Sequence, residues 1–392
     1  MRFSERTNWN TEESELARAH RLRAESGKPI ADLTASNPTR CGFAYDSALL
    51  AALSNSIALD YDPQPRGLLS ARQAICGYYA DHGVRLQPEQ VILTTSTSEA
   101  YSYLFRLLSD AGSEILVIQP GYPLFDFLAA LDDVRLKAAP LVYNHGWQID
   151  VEGLRRAVTP QTRAIVLVHP NNPTGHFTKP WEAAELARLC RDFDLALIVD
   201  EVFLDYSFCE AGKSFASGLE DVPVFVVSGL SKIAGLPQMK AAWIVAAGPQ
   251  AASALDRLEV IADTFLSMNA PVQHALPAWL KGRESIQRQI RARVTANLAE
   301  LDRQLVRLPE VSRLEVEGGW YAVLRIPALR PDEQTVLALL DRGVWLHPGY
   351  FFGLKESGWL VVSLLVAEAE FSRGIAGLVD YQKSNAGTGC SG

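Results

Sequence analysis

The sequence predicts an α/β protein: a large domain on a mostly parallel, helix-covered sheet, plus a smaller α+β domain made from the N- and C-terminal segments. Three observations predict it. Short runs of almost wholly apolar residues recur between about residues 45 and 280. Helical patterns separate many of these runs, and continuous apolar strands with helical crossovers belong to parallel sheets covered on both faces. Beyond a long amphipathic helix the texture changes to strands around one short helix. The chain has 392 residues, which suits one large or two modest domains with a real core.

In chain order, "NTEESELARAHRLRAES" reads as a helix, with Asn10 as its cap and Glu13 at the capping-box position. "GKPIADLTASNPTR" breaks into a strand and a turn. Strands follow at Val91–Thr95, Glu114–Pro120, Ala164–Pro170, Leu195–Glu201, Val224–Gly229 and Ala241–Ala247. "EAYSYLFRLLSD" and "WEAAELARLCRDFD" are helices between them. Ile286, Ile290, Val294, Leu298, Leu301 and Leu305 recur at helical spacing, so the Arg-rich stretch from Arg283 is a helix with a basic solvated face. "RLEVEGGWYAVLRIP", "VWLHPG" and "WLVVSLLV" are strands, with the helix "DEQTVLALLDRG" among them. The expected large domain is 45–280 and the small domain 1–44 with 281–382; the polar, Gly-rich residues 383–392 are expected to be disordered.

Charge and cysteine usage narrow the function classes. A net charge of -8 argues against a nucleic-acid partner, because counterion release needs clustered Lys and Arg. Cys41, Cys76, Cys190, Cys209 and Cys390 are scattered without C-x-x-C spacing. That pattern fits reduced thiols in a cytoplasm and argues against a disulfide framework or a metal site. No apolar run reaches membrane-spanning length, and "MRFSERTNWN" has no apolar signal core.

Chemistry-bearing residues collect where the strands end. Ser96, Thr97 and Ser98 open a helix, where free amides and the helix dipole favour an anion; a plain Ser/Thr cap is the simpler reading. Tyr122 follows the next strand in a Gly-Pro turn and offers an aromatic face. "HPNNPTG" makes a rigid turn that presents side-chain amides, Asn172 among them. His169 in that turn is read as a packed histidine without a role. Asp200 ends a very apolar strand, which is costly unless it faces a cation or a donor. Lys232, among Ser228, Ser231 and two glycines, follows another buried strand, and a desolvated Lys becomes nucleophilic and forms Schiff bases. Lys240 is either a second cation beside it or an anion binder. One ligand answers all of these parts. It carries an aldehyde for Lys232, a basic ring nitrogen for Asp200, a flat face for Tyr122, and a phosphate for Ser96–Ser98, Ser228 and Lys240. Pyridoxal 5'-phosphate is such a ligand.

At these residues the chain resembles the fold-type-I pyridoxal-phosphate aminotransferases, class I/II, over nearly its whole length. The family's NPTG turn appears as Asn172–Gly175, its DE-V-aromatic strand end as Asp200–Phe203, and its S-x-S-K element as Ser228–Lys232 with one residue inserted. The resemblance implies that Lys232 holds the cofactor as a Schiff base and shuttles protons, and that Asp200 partners the pyridinium. It implies that Asn172 donates to the ring 3-oxygen, Tyr122 stacks on the ring, and Ser96 and Thr97 hold the phosphate. Tyr61 matches a tyrosine that reaches the phosphate of the neighbouring subunit, which implies a homodimer with shared active sites.

Three departures from the family matter. Phe203 stands where a Tyr is common, so the 3-oxygen loses a hydroxyl donor. Lys240 stands where Arg is usual, which keeps the charge and loses the bidentate fork. Val361 or Val362 stands where the family's Arg grips the substrate carboxylate. Either another cation takes over, Arg325 or Arg40, or the donor lacks a carboxylate beside its amine. The implied reaction is transamination: an amino group moves from an amino acid or related amine to a 2-oxo acid, with Lys232, Asp200 and Tyr122 as the catalytic set. A β-lyase, cyclase or decarboxylase on the same scaffold is the nearest alternative, and a non-catalytic cofactor-binding module a more distant one.

Overall fold

The structure is a computed structural model that describes residues 1–208, 212–266 and 268–388. Cys209 and Cys390 lie outside the described residues. Cys41, Cys76 and Cys190 are free thiols.

An eight-stranded sheet forms the body of the chain. Its strands lie in the order Val91–Thr94, Ala242–Ala247, Val224–Gly229, Ala196–Asp200, Thr162–Val168, Glu114–Gln119, Arg135–Tyr143 and Trp147–Ile149. The five strands from Val224–Gly229 to Arg135–Tyr143 pair in parallel, while Ala242–Ala247 and Trp147–Ile149 run against their neighbours. The mostly parallel sheet is therefore as expected. The central strands read as continuous apolar runs because both of their faces are buried. Leu197, Val199, Val224 and Val226 pack under Trp243, Leu276 and Trp279 on one face. Ile198, Phe225 and Val227 pack with Tyr101, Leu104 and Phe105 of the helix Thr97–Leu108 on the other.

Two strands escaped the sequence reading. Arg135–Tyr143 and Trp147–Ile149 lie at the edge, where little more than Ala139, Leu141, Trp147 and Ile149 is buried. A strand that buries so few residues carries no continuous apolar signal.

The C-terminal part holds a four-stranded antiparallel sheet, in the order Ser312–Arg313, Tyr321–Arg325, Trp359–Ser363 and His347–Pro348. The long helix is Glu284–Leu305, and its Ile286, Ile290, Val294, Leu301 and Leu305 are buried as the spacing predicts. They pack with Ala322, Leu324, Leu360 and Val362 of the small sheet and with Phe371 and Ile375 of the last helix. The N-terminal helix begins at Glu15, later than expected. Ser14 caps it by accepting from the Ala17 amide at 3.2 Å, while Asn10 accepts from Glu12 in a separate turn. The helix Glu368–Thr388 takes in the first residues of the tail expected to be disordered, because its apolar spacing continues from Phe371 through Leu378. Residues 389–392 lie outside the described residues.

The sheet positions the site through direction alone. Thr94, Gln119, Val168, Asp200 and Gly229 all end strands that run the same way. The turns after them share one edge of the sheet, which is where open α/β sheets bind ligands.

Candidate active site

Lys232 sits in the single helical turn Leu230–Ile233 that follows Val224–Gly229. Its carbonyl accepts the Tyr206 hydroxyl at 2.7 Å, which fixes the turn. Its amine lies 4.9 Å from the centre of the Trp320 ring and 5.5 Å from that of Phe203. Burial among these rings pushes the ammonium down to about 8, against the opposing pull of Asp200. Asp200 is buried at the end of the adjacent strand. Its Oδ1 accepts from the Val202 amide at 3.0 Å, and its Oδ2 accepts from the Tyr101 hydroxyl at 3.0 Å. Burial raises its carboxyl to about 6, held from rising further by those two donors and by Lys232. Asp200 and Lys232 feel each other electrostatically, and each is shifted towards its neutral form.

The turn after Thr162–Val168 divides its two asparagines between tasks. Asn171 Oδ1 accepts from the Thr174 amide and hydroxyl, so Asn171 builds the turn. Asn172 is also buried, yet its Oδ1 has no partner among the described residues. The Ser228 hydroxyl is likewise buried and unpartnered. Buried polar atoms of this kind need a partner, and two of them beside a strand-end Lys mark a polar ligand's seat.

Ser96 caps the helix Thr97–Leu108, its hydroxyl accepting from the Glu99 amide at 3.1 Å. The simpler cap reading therefore holds for that hydroxyl. The amides of Thr97 and Ser98 still have no acceptor inside their helix, as at any helix start. Tyr122 is partly buried, and burial together with nearby Asp200 and Tyr321 pushes its phenol up to about 12. Ser231 lies in the same turn as Lys232. Lys240 follows the turn Pro237–Met239 with φ 53° and is exposed. Phe203 is buried edge-on against Trp320, with ring centres 5.3 Å apart.

Three candidates stand apart from this cluster. Tyr61 is 81% exposed and makes no contact with it. Arg325 ends the strand Tyr321–Arg325, at the end away from Trp320 and Tyr321. It donates to the Ser357 carbonyl at 2.7 Å and lies 4.4 Å over the Trp359 ring. Arg40 is exposed at the end of the turn Pro38–Arg40.

Sequence reading missed Tyr101 and Trp320, both fully buried. Each looks like core in the sequence: Tyr101 sits on the apolar face of its helix, and Trp320 precedes an apolar strand. His169 is packed edge-on between Phe177 and Phe215, and burial drops its imidazole to about 3.

One edge of the parallel sheet thus brings together Lys232, Asp200 and the start of the helix Thr97–Leu108. The chain belongs to the aminotransferase class I and II family, whose model matches residues 47–378. Members of this family depend on pyridoxal phosphate, and this chain is a transaminase. It is 30% identical to the glutamate-pyruvate aminotransferase AlaA of Escherichia coli K12, over 86% of each chain. It is also 30% identical to the alanine aminotransferase of Mycobacterium tuberculosis H37Rv, over 82% of this chain and 78% of that one. The solved alanine aminotransferase of Pyrococcus furiosus shares its fold with a TM-score of 0.90, covering 98% of this chain and all of the other at 24% identity.

Proposed function

We propose that the strand-end cluster holds pyridoxal 5'-phosphate and uses Lys232 as both anchor and proton carrier in amino transfer to a 2-oxo acid. The observation that carries this reading is the pairing of a depressed Lys232 with a buried Asp200, beside two unpartnered buried polar atoms, Asn172 Oδ1 and Ser228 Oγ. That donor set fits the cofactor. When bound, pyridoxal phosphate supplies an aldehyde that condenses with amines and a protonated ring that accepts the electron pair released at the donor carbon.

The chain's own residues do the rest. Lys232, half neutral near pH 8, is poised to attack a carbonyl and then to carry a proton as general base and acid. Asp200 holds the ring-nitrogen proton, with Tyr101 fixing its orientation. The Asn172 amide would meet the ring oxygen, and Tyr122 would lie against the ring. The amides of Thr97 and Ser98, with Ser96, Ser228, Ser231 and Lys240, would hold the phosphate. Phe203 and Trp320 exclude water around the Lys232 amine, which keeps its pKa low.

Tyr61 belongs to the phosphate site of a second copy. It stands on an exposed apolar stretch with Ile57 and Leu59, and Met268 and Asn269 line the same hollow. Exposed apolar patches of this kind mark association surfaces. The working form in this reading is a homodimer with shared sites, a cytoplasmic enzyme with reduced thiols.

The test is a half-reaction. Holoenzyme given an amino donor alone is expected to release one equivalent of oxo product and retain the aminated cofactor. Ammonia release with no aminated cofactor would replace amino transfer with a lyase reaction.

A further inference from the structure

The turn that carries Lys232 is held from outside. Leu230–Ile233 is a single helical turn, and a helix that short fixes many dihedrals for few internal bonds. Side chains from other segments meet its carbonyls. The Tyr206 hydroxyl donates to the Lys232 carbonyl at 2.7 Å, and the Gln287 amide donates to the Ile233 carbonyl at 2.8 Å. Just past the turn, the Tyr45 hydroxyl donates to the Gly235 carbonyl at 2.7 Å.

Tyr206 and Gln287 are themselves fixed, and both are buried. Arg291 Nη1 donates to Gln287 Oε1 at 3.5 Å and to the Asp205 carbonyl at 3.2 Å. The bonds therefore close into a loop that runs through Lys232, Tyr206, Asp205, Arg291, Gln287 and Ile233. Gln287 and Arg291 stand one helical turn apart on Glu284–Leu305, so that helix anchors the loop. Tyr206 also sets the rings beside the amine. Its own ring packs edge-on against Trp320, with centres 5.0 Å apart, and its carbonyl accepts the Gly319 amide at 2.8 Å. One residue thus ties the Lys232 backbone to the Trp320 ring, which lies 4.9 Å from the Lys232 amine.

We infer that Tyr206 and Gln287 are positioning residues for Lys232: they hold its backbone turn so that its amine stays beside the rings of Trp320 and Phe203. The inference rests on the transaminase reading, in which that amine is the reacting group. Both residues act through the backbone. With the turn freed, the Lys232 side chain can swing its amine toward water. Burial is what depresses the amine, and it outweighs the opposing pull of Asp200. An amine that regains water should therefore titrate at higher pH.

The experiment titrates the Lys232 amine in the full-length apo-protein. Brief labelling with acetic anhydride across a pH series, read on the Lys232 peptide by mass spectrometry, follows its neutral fraction. Lys232 is only partly buried, so a small reagent reaches it. In Tyr206→Phe the midpoint should rise by about half a pH unit, and pyridoxal phosphate uptake at pH 7 should slow ~3-fold as the neutral fraction falls. Gln287→Met frees the same turn at Ile233 and should move the midpoint in the same direction. Tyr45→Phe removes a bond of the same kind and length beyond the turn, so it should lower stability and leave the midpoint at its wild-type value. A midpoint unmoved in Tyr206→Phe or in Gln287→Met would overturn the inference, and so would an equal rise in Tyr45→Phe. The labelling does not depend on turnover. A wild-type holoenzyme that moves no amino group would thus overturn the transaminase reading separately from these midpoints.

Discussion

Tyr101 and the Val202 amide are the two donors that let Asp200 carry charge although it is buried. In the proposed role Asp200 must be ionised to hold a ring proton, so activity should be lost as pH falls through its pKa. Tyr101→Phe removes a bond that lowers that pKa, so the acid limb of the kcat profile should move to higher pH. We expect kcat to fall ~10-fold with KM little changed; an unmoved acid limb would show that Tyr101 only packs. Lys232 gives a second titration. The apo-protein should take up pyridoxal phosphate faster as pH rises, with a midpoint near about 8, where the amine loses its proton. Asp200 raises the Lys232 pKa, so Asp200→Asn should shift that midpoint downward; absorbance stopped-flow at several pH values reads both. Lys232, Asp200 and Asn172 were legible in the sequence because a charge or amide ending a buried strand is costly without a partner. Tyr101 and Trp320 were not, because an aromatic in an apolar pattern looks like core. A strand's pattern tells which face a residue such as Arg325 takes, and only the fold tells which end of the strand it occupies.

Single elements are held to one another by a buried charge cluster behind the Asn172 turn. His176 Nε2 lies 3.0 Å from Glu182 Oε2, and its Nδ1 is 3.5 Å from Glu317 Oε2. Glu182 also accepts from the amides of Ile149 and Lys179, and Glu317 accepts from the Phe177 amide and pairs with Lys179. The cluster joins the Asn172 turn to the segment leading into Trp320. Burial lowers the His176 pKa, but its bonds to Glu182 and Glu317 outweigh that and raise it overall. This raised group stabilises the fold fully below its unfolded value near 6.5, and the contribution fades as pH rises through the folded pKa. Urea unfolding should therefore show stability declining above neutral pH in the wild type, and that decline should shrink in His176→Ala. At pH 6 the variant should be about 3 kcal/mol less stable, since two carboxylates lose their buried partner. A pH slope that survives the substitution would place the titrating group elsewhere. Elements themselves were read with uneven success. The buried strands and the long helix declared themselves by period, whereas Arg135–Tyr143 hid because one side of it faces solvent.

For the whole molecule, the proposed shared site makes a prediction that no single chain satisfies. Tyr61 is exposed on its own chain, and in the proposed reading the site it serves lies on another copy. Lys232→Ala and Tyr61→Ala should each be impaired, the first by at least ~10³-fold. Mixed and allowed to exchange subunits, they should regain up to about a quarter of wild-type activity, because half of the dimers would be mixed and each mixed dimer has one intact site. Activity no greater than the sum of the two variants would mean that Tyr61 serves no neighbouring site. The parallel sheet and the helix between the two sheets were visible in the sequence. The surface that pairs two copies was not, since an exposed Ile57, Leu59 or Tyr61 has the same letters as a buried one. The most direct test of the central claim is borohydride reduction of the holoenzyme followed by peptide mapping. A phosphopyridoxyl group on the peptide carrying Lys232, absent after Lys232→Ala, is the predicted result. A modification on a different lysine, with turnover surviving Lys232→Ala, would contradict it.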